Sequence, residues 1–291
     1  MVGCVLARSS KRYLPLRKER AVLCTALFFL GIFSLFLVSC QGSLKDHLTN
    51  LASNSELNQS VILTTNSYTL LGWGKNKNTS HVNIYIEGDG QSWEDPWTIS
   101  TDPTPPDPVG FKLALADSRS DSILYFARPC QYIMDKRCTP LDWTSDRFSK
   151  QIIDAYHQAL QQIKTSWDVK TFTIHGYSGG ATIALLIAAS RSDVTSIVTF
   201  APLLDPVQWT KHHNYSPLSG SLSPLNYAPQ LSLVPQTHFI GLEDRQVPYL
   251  VSSSYFAAIP QSSVNLVHRI PGLTHHSDWP GFWKSYILKQ K

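Results

Sequence analysis

Charge is sparse in this chain and bunched where it occurs. Only 16% of the 291 residues are Asp, Glu, Lys or Arg, and five of the basic ones fall between Lys11 and Arg20. The remainder is close to neutral with no basic stripe, which excludes nucleic acid as a partner. Cysteine is scarce as well. Cys4 and Cys24 lie in the N-terminal segment and Cys40 closes it, so only Cys130 and Cys138 belong to the body of the chain. No second pair or nearby histidine completes a zinc ligand set around them. There is no internal repeat to build a solenoid, and no metal or cofactor is implied.

What the chain does have is apolar material, 43% of its residues, enough for one large core in one domain of about 250 residues once the N-terminus is set aside. Arg8 to Arg20 is basic, and Ala21 to Val38 is apolar and uncharged. Residues 1–40 therefore read as an export signal or membrane anchor rather than part of the fold. Leu37-Val38-Ser39-Cys40 resembles the lipobox of bacterial lipoproteins, which makes Cys40 the expected lipidation site. The same run is just long enough to span a bilayer uncleaved, and plain cleaved secretion is the third route. Each route puts the domain outside the cytoplasm, at the cell envelope, with the membrane as a partner through the N-terminus. In that oxidising setting Cys130 and Cys138, separated by a short polar loop, form a disulfide.

Residues 41–60 are polar and Ser/Asn-rich, the composition of a tether, leaving 61–291 as the folded domain. Strands are expected at Tyr68–Leu71 and His81–Ile86, joined through a turn at Gly72-Trp73-Gly74 and a Lys/Asn loop. The Pro/Asp-rich stretch 95–108 is a loop. A helix over Val109–Ala116, a buried strand over Ile123–Ala127 and an amphipathic helix within Arg147–Ser166 follow. Further strands fall at Val194–Ala201, Gln236–Gly241 and Val264–Ile270, with helices over Pro248–Ala258 and from Asp278. Residues 202–235, rich in proline, serine and aromatics, form a cap-like insertion whose Trp209, Tyr215 and Tyr227 are candidates to line an acyl pocket. Strands alternating with helices imply an α/β fold with a mostly parallel sheet covered on both faces.

The chain is organised around Thr171–Ser190, where an apolar β-branched run meets Gly176-Tyr177-Ser178-Gly179-Gly180 and then a small-residue helix. Strand, tight turn and helix are the setting the G-x-S-x-G pattern needs to hold a serine hydroxyl exposed at a strained corner. Ser178 is the candidate nucleophile. A serine hydroxyl needs a histidine to take its proton and a carboxylate to orient that histidine. In the chain order that accompanies this motif the acid comes second and the histidine last. HFIGLEDRQVP offers Asp244, with Glu243 beside it, and Asp205 one strand earlier is the alternative. After the last strand, His275 is the candidate base and His276 the fallback. His268 sits within that strand, and His175, His212 and His213 precede the acid, so their expected roles are structural. An oxyanion hole needs two backbone N–H donors. Gly179 supplies one, and Glu87-Gly88-Asp89-Gly90 the other, through Asp89 or alternatively Gly90. The carboxylates of Glu87 and Asp89 are then expected to point away from the oxyanion or to be paired.

These residues resemble the α/β-hydrolase superfamily from about the first strand to the C-terminus. IYIEGDG with a following PTPP, ARPCQY, DRFSK, GYSGG, PLSGSLSP and PGLTH before a tryptophan are similar to a group of uncharacterised bacterial hydrolases, many of them lipoproteins. The resemblance implies a Ser-Asp-His hydrolase and supports His275 through the PGxxH pattern. Two departures stand out: EGDG occupies the place of the more usual HG, and His276 doubles the histidine. The expected activity is hydrolysis of a small-molecule or lipid ester, less often a thioester or amide, through an acyl-enzyme. The competing class is a catalytically silent lipoprotein that keeps the fold as a binding scaffold.

Overall fold

The computed structural model describes residues 43–259 and 265–290. The signal or anchor segment, Cys40 and Val264 lie outside the described residues. Among those described, no helix is long and apolar enough to cross a membrane.

Eight strands form one sheet: β1 (Gln59–Thr64), β2 (Thr69–Lys75), β3 (His81–Ile86), β4 (Ile123–Phe126), β5 (Thr171–Tyr177), β6 (Val194–Phe200), β7 (Gln236–Gly241) and β8 (Asn265–Ile270). Their order across the sheet is β1-β2-β4-β3-β5-β6-β7-β8. The β1/β2 and β2/β4 pairs are antiparallel and the rest parallel. Parallel neighbours need crossover segments, and these supply the helices that cover the two faces. Alternation along each strand sorts side chains between the faces. Val82, Ile84, Phe172 and Ile174 join one core with α3 (Lys150–Ser166) and α4 (Gly179–Ala188). Tyr85, Tyr125, Tyr177, Phe200 and Phe239 join the other, against α2 (Val109–Ala116) and α8 (Trp279–Lys289). Helix α4 is buried all round, as its small apolar sequence requires at the centre of the domain.

Two expectations are corrected. The stretch 43–60 is no free tether. Ser43 and Asp46 make a capping box for α1 (Leu44–Ser53), whose Leu48 and Ala52, four residues apart, bury one face, and Leu57 follows them into the same core. Gly72-Trp73-Gly74 is likewise no turn but lies inside β2. A Cβ on Gly74 would collide with the Ile123 carbonyl of β4, so glycine here permits close approach of two strands rather than a break. Cys130 and Cys138 are joined in a disulfide. The insertion carries α5 (Pro206–His213), a 3₁₀ turn at Pro224–Tyr227 and α6 (Ala228–Leu231). The expected helix after Pro248 begins as a 3₁₀ turn, Tyr249–Ser252, before α7 (Ser253–Ala258).

Candidate active site

Parallel strands release their C-terminal loops along one rim of the sheet, and the side chains that share this rim come from the loops after β3, β4, β5, β7 and β8. Ser178 stands between β5 and α4 with φ 51° and ψ −120°, left-handed backbone that a non-glycine residue adopts only when its surroundings hold it there. Here they do: Ser178 N donates to Phe200 O at 3.0 Å, and Ser178 O accepts from Leu203 N at 3.1 Å.

His275 Nε2 lies 3.0 Å from Ser178 Oγ, and His275 Nδ1 lies 2.8 Å from Asp244 Oδ2. Asp244 and His275 are 3% and 4% exposed, so water does not compete for either contact. Asp244 Oδ1 accepts from Gln246 N and Val247 N, which fixes the carboxylate. The His275 carbonyl accepts from Tyr177 Oη and Trp279 Nε1, both at 3.0 Å, so the imidazole is held from its backbone as well. Burial, reinforced by Glu87 and Asp244, raises the Tyr177 phenol above its ordinary value and keeps it a neutral donor. A hydroxyl, an imidazole and a carboxylate in this line can move a proton from Ser178 to His275 while Asp244 stabilises the cation.

The alternatives sit elsewhere. Asp205 is the N-cap of α5: its Oδ1 accepts from Val207 N and Gln208 N, and its Oδ2 accepts from Ser254 Oγ. His276 is exposed and pairs with Gln246 Oε1 at 3.0 Å. Partial desolvation of the ring, together with the neighbouring His275, lowers its pKa. Glu243 turns outward, its carboxylate accepting from Gly272 N. His175 stacks on Tyr85 with centroids 4.1 Å apart and pairs with Asn83 Oδ1. Burial pushes it down to about 4. His268 stacks on Phe239, and His213 stacks on Tyr215 at the surface.

On the other side of Ser178, an ideal Cβ on Gly88 would come 3.5 Å from Ser178 Cβ, and one on Gly179 would collide with the Asp89 carboxylate. The EGDG loop is therefore packed directly against the turn that carries Ser178. Gly90, with φ +65°, faces Pro103 instead. Asp89 is paired: Oδ1 with Arg128 Nη1 at 2.7 Å and Oδ2 with Arg147 Nη1 at 2.8 Å. Burial works to raise its pKa, but the two guanidinium groups outweigh that and hold it below the usual carboxylate range. Glu87 accepts from Gly88 N, Gly110 N and Tyr125 Oη, and burial raises its pKa despite these bonds. The sequence pattern contained the two arginines, Tyr177 and Trp279 but did not disclose their contacts with Asp89 and the His275 carbonyl. ARPCQ and DRFSK contained the arginines, but nothing local pairs them with Asp89, 39 and 58 residues away.

The insertion runs beside this rim. Trp209 Nε1 donates to Gln246 O, and the Arg147 guanidinium lies 5.9 Å from a Trp209 ring centroid. Tyr227 packs on the core. Tyr215 is exposed and lies edge-on to Trp209.

No protein-family model and no curated protein sequence matches the chain. Solved structures do. An esterase of Pyrococcus furiosus is similar over 87% of this chain and 93% of its own, at 16% identity and a TM-score of 0.58. The α/β hydrolase GrgF from Penicillium sp. is similar over 80% and 96%, at 15% identity and 0.59. A serine hydrolase without lid from Xanthomonas campestris is similar over 80% and 94%, at 13% identity and 0.51. The strand order, the turn that carries Ser178 and these likenesses agree: the chain has the fold of the α/β-hydrolase superfamily.

Proposed function

We propose that the protein is a serine hydrolase that cleaves carboxylic esters through an acyl-enzyme. One observation carries this reading: Ser178 Oγ, on left-handed backbone, lies 3.0 Å from His275 Nε2, whose other nitrogen is bonded to the buried Asp244. Ser178 Oγ attacks the acyl carbon while its proton passes to His275 Nε2. The backbone N–H groups of Gly179 and Asp89 receive the developing oxyanion, and collapse of the tetrahedral intermediate releases an alcohol that takes the proton back from His275. Water, deprotonated by His275, then attacks the acyl-serine to release the acid and restore Ser178. The similar structures include both esterases and an acylaminoacyl peptidase, so esters and amides are compared directly in the test.

Hydrolysis of p-nitrophenyl esters of graded acyl length, set beside aminoacyl anilides, tests this reading. Ester turnover that falls at least about 10³-fold in Ser178→Ala supports it. Folded protein with no Ser178-dependent turnover of any ester contradicts it.

The proposal extends to location: the domain is held at the outer side of a membrane through a lipid on Cys40, with residues 202–235 as its cap. The Cys130–Cys138 disulfide supports an oxidising compartment. Membrane fractionation of Cys40→Ala checks the anchor, and an unchanged distribution contradicts it.

A further inference from the structure

The EGDG loop is fixed at a single peptide by a residue outside the triad. Strands β3 and β4 are parallel neighbours, so the loop after β3 meets the loop after β4, Arg128-Pro129-Cys130-Gln131. Gln131 is 1% exposed, and its Nε2 donates to the carbonyl of Gly88 at 3.0 Å and, at 3.4 Å, to that of Pro103. Its Oε1 accepts from Arg128 N at 3.0 Å, so the amide is locked in one orientation.

The Gly88 carbonyl and the Asp89 N–H belong to one peptide plane. In a trans peptide the two point in opposite directions. A carbonyl drawn towards Gln131 therefore sends the Asp89 N–H to the far side of the plane, in a loop whose Gly88 packs against Ser178. Rotation of the plane is opposed at both ends. Arg128 and Arg147 grip the Asp89 carboxylate, Arg128 Nη2 also donates to Arg147 O, and Arg147 Nε donates to Thr144 O at 2.8 Å. A flipped plane would aim the carbonyl oxygen at the developing oxyanion and break the bond to Gln131.

Gln131 is flanked on both sides by unusual backbone. Its neighbours Cys130 and Tyr132 have φ of 70° and 61°, left-handed values that a non-glycine residue keeps only under constraint. The constraints are the disulfide at Cys130 and the 2.7 Å bond from Tyr132 N to Thr104 Oγ1. Strain on both sides of one buried amide marks a position the fold holds for a purpose.

We infer that Gln131 is a positioning residue: it locks the Gly88–Asp89 peptide with its N–H directed at the oxyanion site, so that the hole is formed before substrate arrives. This rests on the hydrolase reading above and adds to it a group that touches no substrate.

Gln131→Glu is the discriminating variant. It keeps an acceptor for Arg128 N and nearly the same volume but replaces the donor to Gly88 with an oxygen. With the disulfide intact, kcat should fall about 10²-fold, the effect of losing one oxyanion donor, while KM changes by less than about threefold. Affinity for a trifluoromethyl ketone, whose adduct carries the oxyanion, should fall in parallel with kcat/KM. Gln131→Met, which removes the donor without adding a repulsive oxygen, should lose about tenfold in kcat. Wild-type activity and ketone affinity in folded Gln131→Glu and Gln131→Met would overturn the inference and leave the hydrolase reading standing. Absence of Ser178-dependent turnover in the wild type would instead remove both. Should neither variant fold, the wild-type Asp89 amide proton decides: a downfield NMR shift on ketone binding supports the lock, and an unmoved resonance overturns it.

Discussion

Asp205 and Asp244 follow neighbouring strands, β6 and β7, and both are 3% exposed. Each uses Oδ1 in the same way, accepting from the backbone N–H groups two and three residues ahead, Val207 and Gln208 in one case, Gln246 and Val247 in the other. Asp205 caps a helix and Asp244 a turn, and Oδ2 faces different groups: the Ser254 hydroxyl for Asp205, the His275 imidazole for Asp244. A turn-forming aspartate at a strand end is thus a local device that the chain uses twice. Whether its second oxygen meets a hydroxyl or an imidazole depends on the element that arrives opposite it, α7 or the loop after β8.

The sharpest way to break the parallel is to remove one negative charge from each. Asp244→Asn leaves the turn acceptor but deprives His275 of its counter-charge, so kcat on the best ester should fall about 10³–10⁴-fold. Asp205→Asn should leave kcat within about threefold of wild type, because its partner is a hydroxyl remote from the reaction. Equal losses in the two variants would show that the assignment of the acid is wrong.

Stability should separate the pair far less than activity does. Asp205→Ala removes a helix cap as well as the Ser254 bond and should cost about 1–2 kcal/mol in denaturant unfolding. Asp244→Ala, which loses two turn bonds and leaves His275 without its carboxylate, should cost about as much or somewhat more. A cost near zero for Asp205→Ala would contradict its structural role.

His238 ties the two strands together through Thr199 Oγ1, and burial pushes its pKa down to about 3. It is neutral in the folded protein, while the unfolded chain binds its proton near the ordinary pKa of about 6.5. Its contribution is therefore fully present above about pH 6.5 and is lost as pH falls towards 3, at about 1.4 kcal/mol per pH unit. Buried His175, pushed down to about 4, acts in the same direction over a narrower window. Unfolding free energies measured from pH 7 to pH 4 should show this slope, and His238→Gln should flatten it. A flat wild-type curve would contradict the burial assigned to both rings. The smallest effect is expected from His276→Ala, whose ring faces Gln246: kcat should stay within about twofold.

The same contrast accounts for what the sequence disclosed. G-x-S-x-G and PGLTHH pointed to Ser178 and His275 because strand, turn and helix signals are local. The order serine, acid, histidine, however, fits both Asp244 and Asp205, whose turns look alike, and only the contact with His275 separates them. Gly72 and Gly74 misled, since glycine marks both a break and a close approach of two strands, and only the position of β4 decides which. Helix α1 was hidden in polar sequence because Leu48 and Ala52 are sparse anchors. The Asp89–Arg128–Arg147 clamp and the hold of Gln131 on Gly88 were illegible for a different reason. They join residues separated by dozens of positions, and no spacing rule announces them.

Intact-mass measurement after treatment with a fluorophosphonate is the most direct test of the central claim. One adduct per chain, mapped to Ser178, absent from Ser178→Ala and much slower to form in His275→Ala, is the expected result. Folded wild-type protein that takes up no label, or takes it up at another residue, contradicts the account.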